Sequence, residues 1–111
     1  MQFIKDGEIY KIARITGSQD NILGVCFSED EVPVEIISWS IKKGAKIKSS
    51  PTQVLNQVLS GLEVANSVSK KKYHLSKIYF LPSDAPSNSV YKLLTKELIN
   101  RIDKGLKFSE I

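Results

Sequence analysis

The stretch "SPTQVLNQVLSGLEVANSVS", from Ser50 to Ser69, carries the clearest helix signal in the chain and does most to decide the fold class. Ser50 is a favourable N-cap residue, Pro51 suits the first helical position, and Gln53 completes a capping box. Apolar residues recur at helical spacing through the stretch, namely Val54, Leu55, Val58, Leu59, Leu62, Ala65 and Val68. The pattern predicts an amphipathic helix from about Pro51 to Ser69.

A second helix is predicted after the turn-rich connector "PSDAPSNS" (Pro82–Ser89). It extends from about Asn88 to Lys104, and Gly105 is placed to end it. Its apolar face is formed by Val90, Tyr91, Leu94, Leu98 and Ile102. Both helices therefore have one apolar face, which each must bury against another part of the domain.

Strand patterns surround the first helix. Three precede it, "EIYKIARI" (Glu8–Ile15), "ILGVCFS" (Ile22–Ser28) and "VEIISWSI" (Val34–Ile41), and "LSKIYFL" (Leu75–Leu81) follows it. The turn cluster "TGSQDN" (Thr16–Asn21) separates the first two. Short connections favour an antiparallel meander. The order β-β-β-α-β-α predicts a single α+β domain over residues 1–111, with two helices packed on an antiparallel sheet.

Length and composition narrow the class of protein. A chain of 111 residues is typical of one domain, and a single cysteine permits no intrachain disulfide. No stretch approaches the roughly 20 apolar residues of a membrane span. The opening residues "MQFIKDGEIYK" include acidic side chains and no apolar segment of the kind found in secretory signals. A cytoplasmic location is the default expectation.

Residues suited to catalysis are scarce. The only cysteine is Cys26, in an apolar run, and the only histidine is His74, near a predicted helix end. A zinc site needs three or four nitrogen or sulfur ligands, which this chain does not supply. The six glycines are scattered, so a phosphate-binding loop is not indicated. We expect a protein that is not an enzyme and that uses no metal or cofactor.

The charges are unevenly distributed along the chain. Residues 1–40 hold seven acidic and three basic residues, whereas residues 41–111 hold five and thirteen, which gives −4 and +8 and sums to the formal net charge of +4. Four carboxylates lie close together in "FSEDEVPVEIISWS" (Phe27–Ser40), namely Glu29, Asp30, Glu31 and Glu35. They are either a solvated turn or a surface for a positively charged partner.

Trp39 lies at even spacing from two of these carboxylates. If the strand were regular through Pro33, then Glu31, Glu35 and Trp39 would share one face. A row of carboxylates beside an indole is a reasonable protein-binding edge, because charge steers the encounter and the aromatic ring anchors the complex. The alternative is that the acids belong to a hairpin loop and Trp39 to the core.

Two lysine clusters suggest nucleic acid as an alternative partner. One comprises Lys42, Lys43, Lys46 and Lys48, and the other Lys70, Lys71 and Lys72, followed by Lys77. Aromatic residues near the second cluster, such as Tyr73 and Tyr79, fit single-strand readers. However, no RNP-type signature accompanies them, and arginine, which phosphate and base readers favour, is rare in this chain. Weak, sequence-independent binding is the most that these clusters indicate.

The segment "VYKLLTKELINRIDKG" (Val90–Gly105), and within it "TKELINRI" (Thr95–Ile102), resembles the C-terminal helix of some toxin-immunity proteins of contact-dependent growth inhibition and related polymorphic toxin systems. The resemblance implies a cytoplasmic protein that binds one toxin domain, blocks its active site and performs no catalysis. Many such toxins are nucleases with cationic sites. Their antidotes are commonly acidic overall, which this chain is not, so the resemblance directs attention to the local acidic stretch. The alternative is that the basic half of the chain meets an acidic face of the toxin.

Overall fold

The structure is a computed structural model that describes residues 1–15, 20–85 and 89–111. Within these ranges the chain forms six strands and two helices in the order β-β-β-β-α-β-α-β. The strands are β1 (Gln2–Asp6), β2 (Ile9–Ile15), β3 (Asp20–Ser28), β4 (Glu35–Ser38), β5 (His74–Phe80) and β6 (Ser109–Glu110). The helices are α1 (Pro51–Val68) and α2 (Val90–Asp103). The α+β class is confirmed.

The strands form one mixed sheet in the order β4-β5-β3-β2-β1-β6. Neighbours from β5 to β1 are antiparallel, whereas β4 pairs parallel with β5 and β1 pairs parallel with β6. The predicted antiparallel sheet with the order β-β-β-α-β-α is therefore wrong in detail. The main cause is α1, because a helix that connects two neighbouring strands brings the second back in the same direction as the first. Strands β1 and β6 were not predicted.

Helix α1 begins as its sequence predicts. The Ser50 side chain accepts a hydrogen bond from the backbone N–H of Gln53 at 3.2 Å. The helix is held at its other end by the backbone N–H of Ser69, which donates to the carbonyl of Ala65 at 3.0 Å. Of the seven apolar residues at helical spacing, Val54, Val58 and Ala65 are buried, and Leu55 and Leu62 are half-buried. Leu59 and Val68 lie outside the buried face of the helix and are 39% and 83% exposed.

Helix α2 begins at Val90, and the predicted start at Asn88 lies outside the described residues. Gly105 follows the helix with a φ of 68°, a left-handed conformation that confirms its predicted role. Residues Thr95 and Ile99 are buried although they were not predicted to be. They face α1, where the helices come so close that a Cβ at Gly61 would lie 2.6 Å from the carbonyl oxygen of Lys92.

Both helices pack on one face of the sheet. Side chains of the central strands meet those of the helices in a common core, which contains Ile12, Leu23, Val25, Ile78 and Phe80 from the sheet and Val54, Val58, Leu94 and Leu98 from the helices. Because side chains alternate along a strand, Lys11, Gly24 and Tyr79 lie on the opposite face. We call this opposite side of the sheet the helix-free face.

Two further expectations concern the ends of these elements. Most of the predicted turn Thr16–Asn21 lies outside the described residues, and its last two residues, Asp20 and Asn21, already belong to β3. Part of the connector Pro82–Ser89 also lies outside them. Neither helix in the described ranges is apolar enough over a sufficient length to cross a membrane.

Candidate functional site

The four clustered carboxylates lie where the chain passes from β3 to β4. We call Glu29, Asp30, Glu31 and Glu35 the acidic edge. The chain turns after β3 as the Ser28 hydroxyl donates to the backbone carbonyl of Asp30 at 2.7 Å. All four acidic side chains are exposed, and none forms a salt bridge or accepts a hydrogen bond from a residue that the structure describes. The fold therefore leaves these charges available to another molecule.

Trp39 follows β4 and lies on the helix-free face. Its backbone N–H donates to the carbonyl of Phe80 at 2.8 Å, which continues the pairing of β4 with β5 by one residue. The indole is half-buried and stacks on Tyr79, with ring centroids 5.7 Å apart and an interplanar angle of 19°. Trp39 is thus outside the core between the sheet and the helices, and part of its ring is open to solvent.

The predicted row of Glu31, Glu35 and Trp39 is only partly present. Strand β4 begins at Glu35, so Glu31 lies in the preceding loop and shares no regular strand with Trp39. Within the strand the alternation holds, and Glu35 and Trp39 are on the same face. Glu35 is paired in register with Lys77 of β5, which places a basic residue opposite it on the neighbouring strand.

Lys11 places a positive charge beside the indole. Its ammonium lies 5.5 Å from the Trp39 ring and forms a salt bridge of 2.9 Å with Asp6. A cation near an aromatic ring is attracted to the negative face of the ring. The indole therefore contacts one residue on each of three strands besides β4, namely Lys11 of β2, Gly24 of β3 and Tyr79 of β5. Through its salt bridge with Asp6, Lys11 also connects the indole to β1.

Cys26 and His74 occupy adjacent strands but show no sign of a catalytic pair. Cys26 is in register with Lys77, whereas His74 is in register with Ser28. Burial is the main cause that raises the pKa of the Cys26 thiol, which keeps it in the less nucleophilic protonated form. No group of three or more metal-ligating side chains occurs among the described residues.

The two lysine clusters lie at opposite ends of β5. One cluster, Lys70, Lys71 and Lys72, comes just before the first residue of β5. The other, Lys42, Lys43, Lys46 and Lys48, belongs to a loop that is bonded to Pro82, just after the end of β5. The backbone N–H groups of Lys48 and Ser49 donate to the Pro82 carbonyl at 2.8 and 3.0 Å. A strand of 7 residues is about 23 Å long at ~3.3 Å per residue. The clusters therefore do not form one continuous basic surface.

A row of aromatic rings was not apparent from the sequence. Phe3, Phe108, Tyr10, Phe27 and Tyr73 contact one another edge to face, with successive centroids 5.9, 5.3, 5.4 and 5.7 Å apart. Three cations lie over these rings, Lys5 over Tyr10, Lys71 over Tyr73 and Arg101 over Phe3. The five rings come from five separate segments of the chain, so no local pattern reveals the row.

A buried polar cluster fixes the end of the sheet nearest Pro82. The backbone N–H of Ile22 donates to the Asp84 carboxylate at 2.9 Å, and the Ser49 hydroxyl donates to the Asp84 backbone carbonyl. The same hydroxyl lies 3.3 Å from that of Tyr91. Burial raises the pKa of the Asp84 carboxyl group, an effect that the Ile22 hydrogen bond opposes. These contacts connect β3, both loops and α2, which indicates a structural role.

Comparison of the chain with protein-family models, with curated proteins and with solved structures gave no match.

Proposed function

We propose that this protein binds a positively charged partner protein through the acidic edge and Trp39, and that it is an immunity protein which neutralises a cognate bacterial toxin domain by covering its active site. The observation that carries the proposal is the combination of four exposed carboxylates, which have no partner among the described residues, and a partly exposed indole on the side of the sheet that the helices leave open.

The charges support an interaction role because their side chains form no salt bridge or hydrogen bond with the residues that the structure describes. Like charges held close together repel one another, and Glu29, Asp30 and Glu31 are consecutive in the sequence. A cationic partner surface relieves that repulsion and is attracted over a distance of about 8 Å at physiological ionic strength. Toxin domains with cationic sites, nucleases among them, are partners of this kind.

Trp39 supports the proposal in a different way. Indole rings are prominent among the residues that contribute most to protein–protein binding, because they bury a large area at a small cost in side-chain entropy. Trp39 is partly exposed on the same face of the sheet as Glu35, so one partner surface can contact both an apolar anchor and the acidic edge. The resemblance of the α2 segment to immunity proteins supports this class of partner over other basic proteins.

Co-expression with the protein encoded by the adjoining gene tests the proposal. We expect that gene to encode a toxin domain that arrests growth when expressed alone, and we expect growth to be restored and a stable complex to co-purify when both chains are present. If the neighbouring protein is not toxic, or if it is toxic and the present chain neither binds it nor restores growth, the proposal is wrong.

A second candidate function is binding of nucleic acid by a small basic module. The observation that favours it is the aromatic row, whose rings are flanked by Lys5 and Lys71. The test is fluorescence anisotropy with a labelled single-stranded oligonucleotide over a range of salt concentrations. Each phosphate contact should add about 0.7 to the negative slope of log affinity against log salt. Sub-micromolar affinity at physiological salt would favour this function over the first.

A further inference from the structure

Gly24 occupies an unusual position for a glycine. It lies within β3, between strands β2 and β5, and it is buried. Glycine weakens a strand, since it loses more backbone entropy than other residues and has no side chain to pack. Gly7, Gly44 and Gly105 have the positive φ that favours glycine, but Gly24 does not. The backbone conformation therefore gives no reason for a glycine at this position.

The neighbouring side chains give that reason. A Cβ on Gly24 would lie 3.0 and 3.1 Å from Cη2 and Cζ2 of Trp39, and 3.0 Å from Cγ2 of Ile9. These separations are tighter than nine in ten real Cβ contacts, so a Cβ at this position requires its neighbours, the indole among them, to shift by a few tenths of an ångström. A larger side chain requires a larger shift. The missing side chain thus leaves the space into which the far end of the Trp39 ring fits.

The indole is held on its other sides as well. It stacks on Tyr79 of β5, and the Lys11 ammonium of β2 lies 5.5 Å from it while paired with Asp6. Residues of three strands thereby define one orientation of a side chain that is still partly exposed. A side chain that is already fixed in the free protein loses little entropy when a partner covers it.

We infer that Gly24 is a positioning residue that presents Trp39 as a preorganised anchor for the partner. The inference rests on the proposed function and adds the chemistry of the partner surface that would contact Trp39 and the acidic edge. The partner places an apolar group against the exposed part of the indole and basic side chains opposite the acidic edge. The charge of that edge, and the position of Glu35 and Trp39 on one face of the sheet, define this combination.

The first arm of the test needs no partner. Trp39 is the only tryptophan, so selectively excited indole fluorescence reports on its ring alone. In Gly24→Val the added methyl groups should displace the ring into solvent, shift its emission to longer wavelength and increase quenching by acrylamide. Far-UV circular dichroism should be unchanged, because valine suits a strand. Gly24→Ala is the milder variant, to be used if Gly24→Val does not fold.

Gly61→Ala is the matched control. The same kind of change there brings a Cβ within 2.6 Å of the Lys92 carbonyl oxygen, on the opposite side of the sheet. It should lower stability without altering the emission of Trp39. An unchanged emission and unchanged quenching in the folded Gly24 variant would overturn the inference, as would an equal shift in Gly61→Ala.

The second arm measures affinity for the purified toxin domain encoded by the adjoining gene. We expect Gly24→Val to weaken binding by about 2- to 10-fold, the scale on which fixing one side chain changes affinity. A spectral shift without any loss of affinity would overturn the anchor role. If the wild-type chain does not bind the domain at all, the proposed function fails, and the fluorescence arm still decides whether Gly24 positions Trp39.

Discussion

Replacement of Trp39 by alanine distinguishes a surface anchor from a core residue. The change removes the stacking on Tyr79, which is worth about 0.5–1.5 kcal/mol, and the contact with the Lys11 ammonium, which is worth about 0.5–1 kcal/mol. Both contacts come in addition to the apolar area that the half-buried indole covers, which is worth about 1–2 kcal/mol. We therefore expect Trp39→Ala to lower the free energy of unfolding by about 2–4.5 kcal/mol, compared with about 3–5 kcal/mol for truncation of a fully buried tryptophan. The variant should fold.

Urea denaturation followed by far-UV circular dichroism measures this difference, since the only tryptophan is lost as a probe. Leu98→Ala is a suitable control because Leu98 is fully buried between α2 and the sheet, and we expect it to cost about 2–5 kcal/mol. An unfolded Trp39→Ala chain, or a loss clearly larger than that of Leu98→Ala, would refute the placement of Trp39 outside the core. Affinity for the toxin domain, measured on the same variant, should fall sharply.

Three further predictions concern protonation and chemistry. Because the pKa of Asp84 is raised from 3.8 in the folded protein, the folded state holds the proton more tightly, and wild type loses stability as pH rises through that pKa. Asparagine does not titrate, so denaturant titrations should show that Asp84→Asn gains stability relative to wild type between pH 3.8 and neutrality. Burial and the hydrogen bond to Asp103 raise the pKa of Tyr73 from 10.0 to about 12, so wild type should lose stability relative to Tyr73→Phe as pH rises above 10.0. Cys26→Ser and His74→Ala should still protect cells from the toxin, and loss of protection by either variant in folded form would contradict a non-catalytic mechanism.

The helices could be predicted from sequence because local signals define them. Ser50, Pro51 and Gln53 act within one turn, and Gly105 ends α2 by its own conformation. The strand order could not be predicted in the same way. The short segment from β3 to β4 suggested a hairpin, but it passes the end of β5, which lies between those two strands. That arrangement depends on α1 returning the chain to the sheet.

The candidate site shows the same division. Exposure of the acidic edge follows from its charge and from Pro33, so it could be predicted without a structure. The register could not, because β4 begins only at Glu35 and excludes Glu31 from its face. The contact between Gly24 and Trp39 joins residues from strands that are not adjacent, and a glycine in an apolar run indicates a bulge as readily as a neighbouring ring.

The role of the acidic edge is tested most directly by the kinetics of binding to the toxin domain encoded by the adjoining gene. The variant carries Glu29→Gln, Asp30→Asn, Glu31→Gln and Glu35→Gln together. Its control has the same change in net charge, from Glu8→Gln, Glu63→Gln, Glu97→Gln and Glu110→Gln. Surface plasmon resonance at low and at physiological salt gives the association and dissociation rates of each.

Charges at the rim of an interface steer the encounter, so the acidic-edge variant should associate more slowly at low salt. Removal of one partner from a buried charge pair costs about 2–5 kcal/mol, so the variant should also bind more weakly at both salt concentrations. The control variant should retain most of the wild-type affinity. If the acidic-edge variant binds the toxin domain as tightly and as fast as wild type, the four carboxylates are only a solvated loop and the proposed interface is wrong.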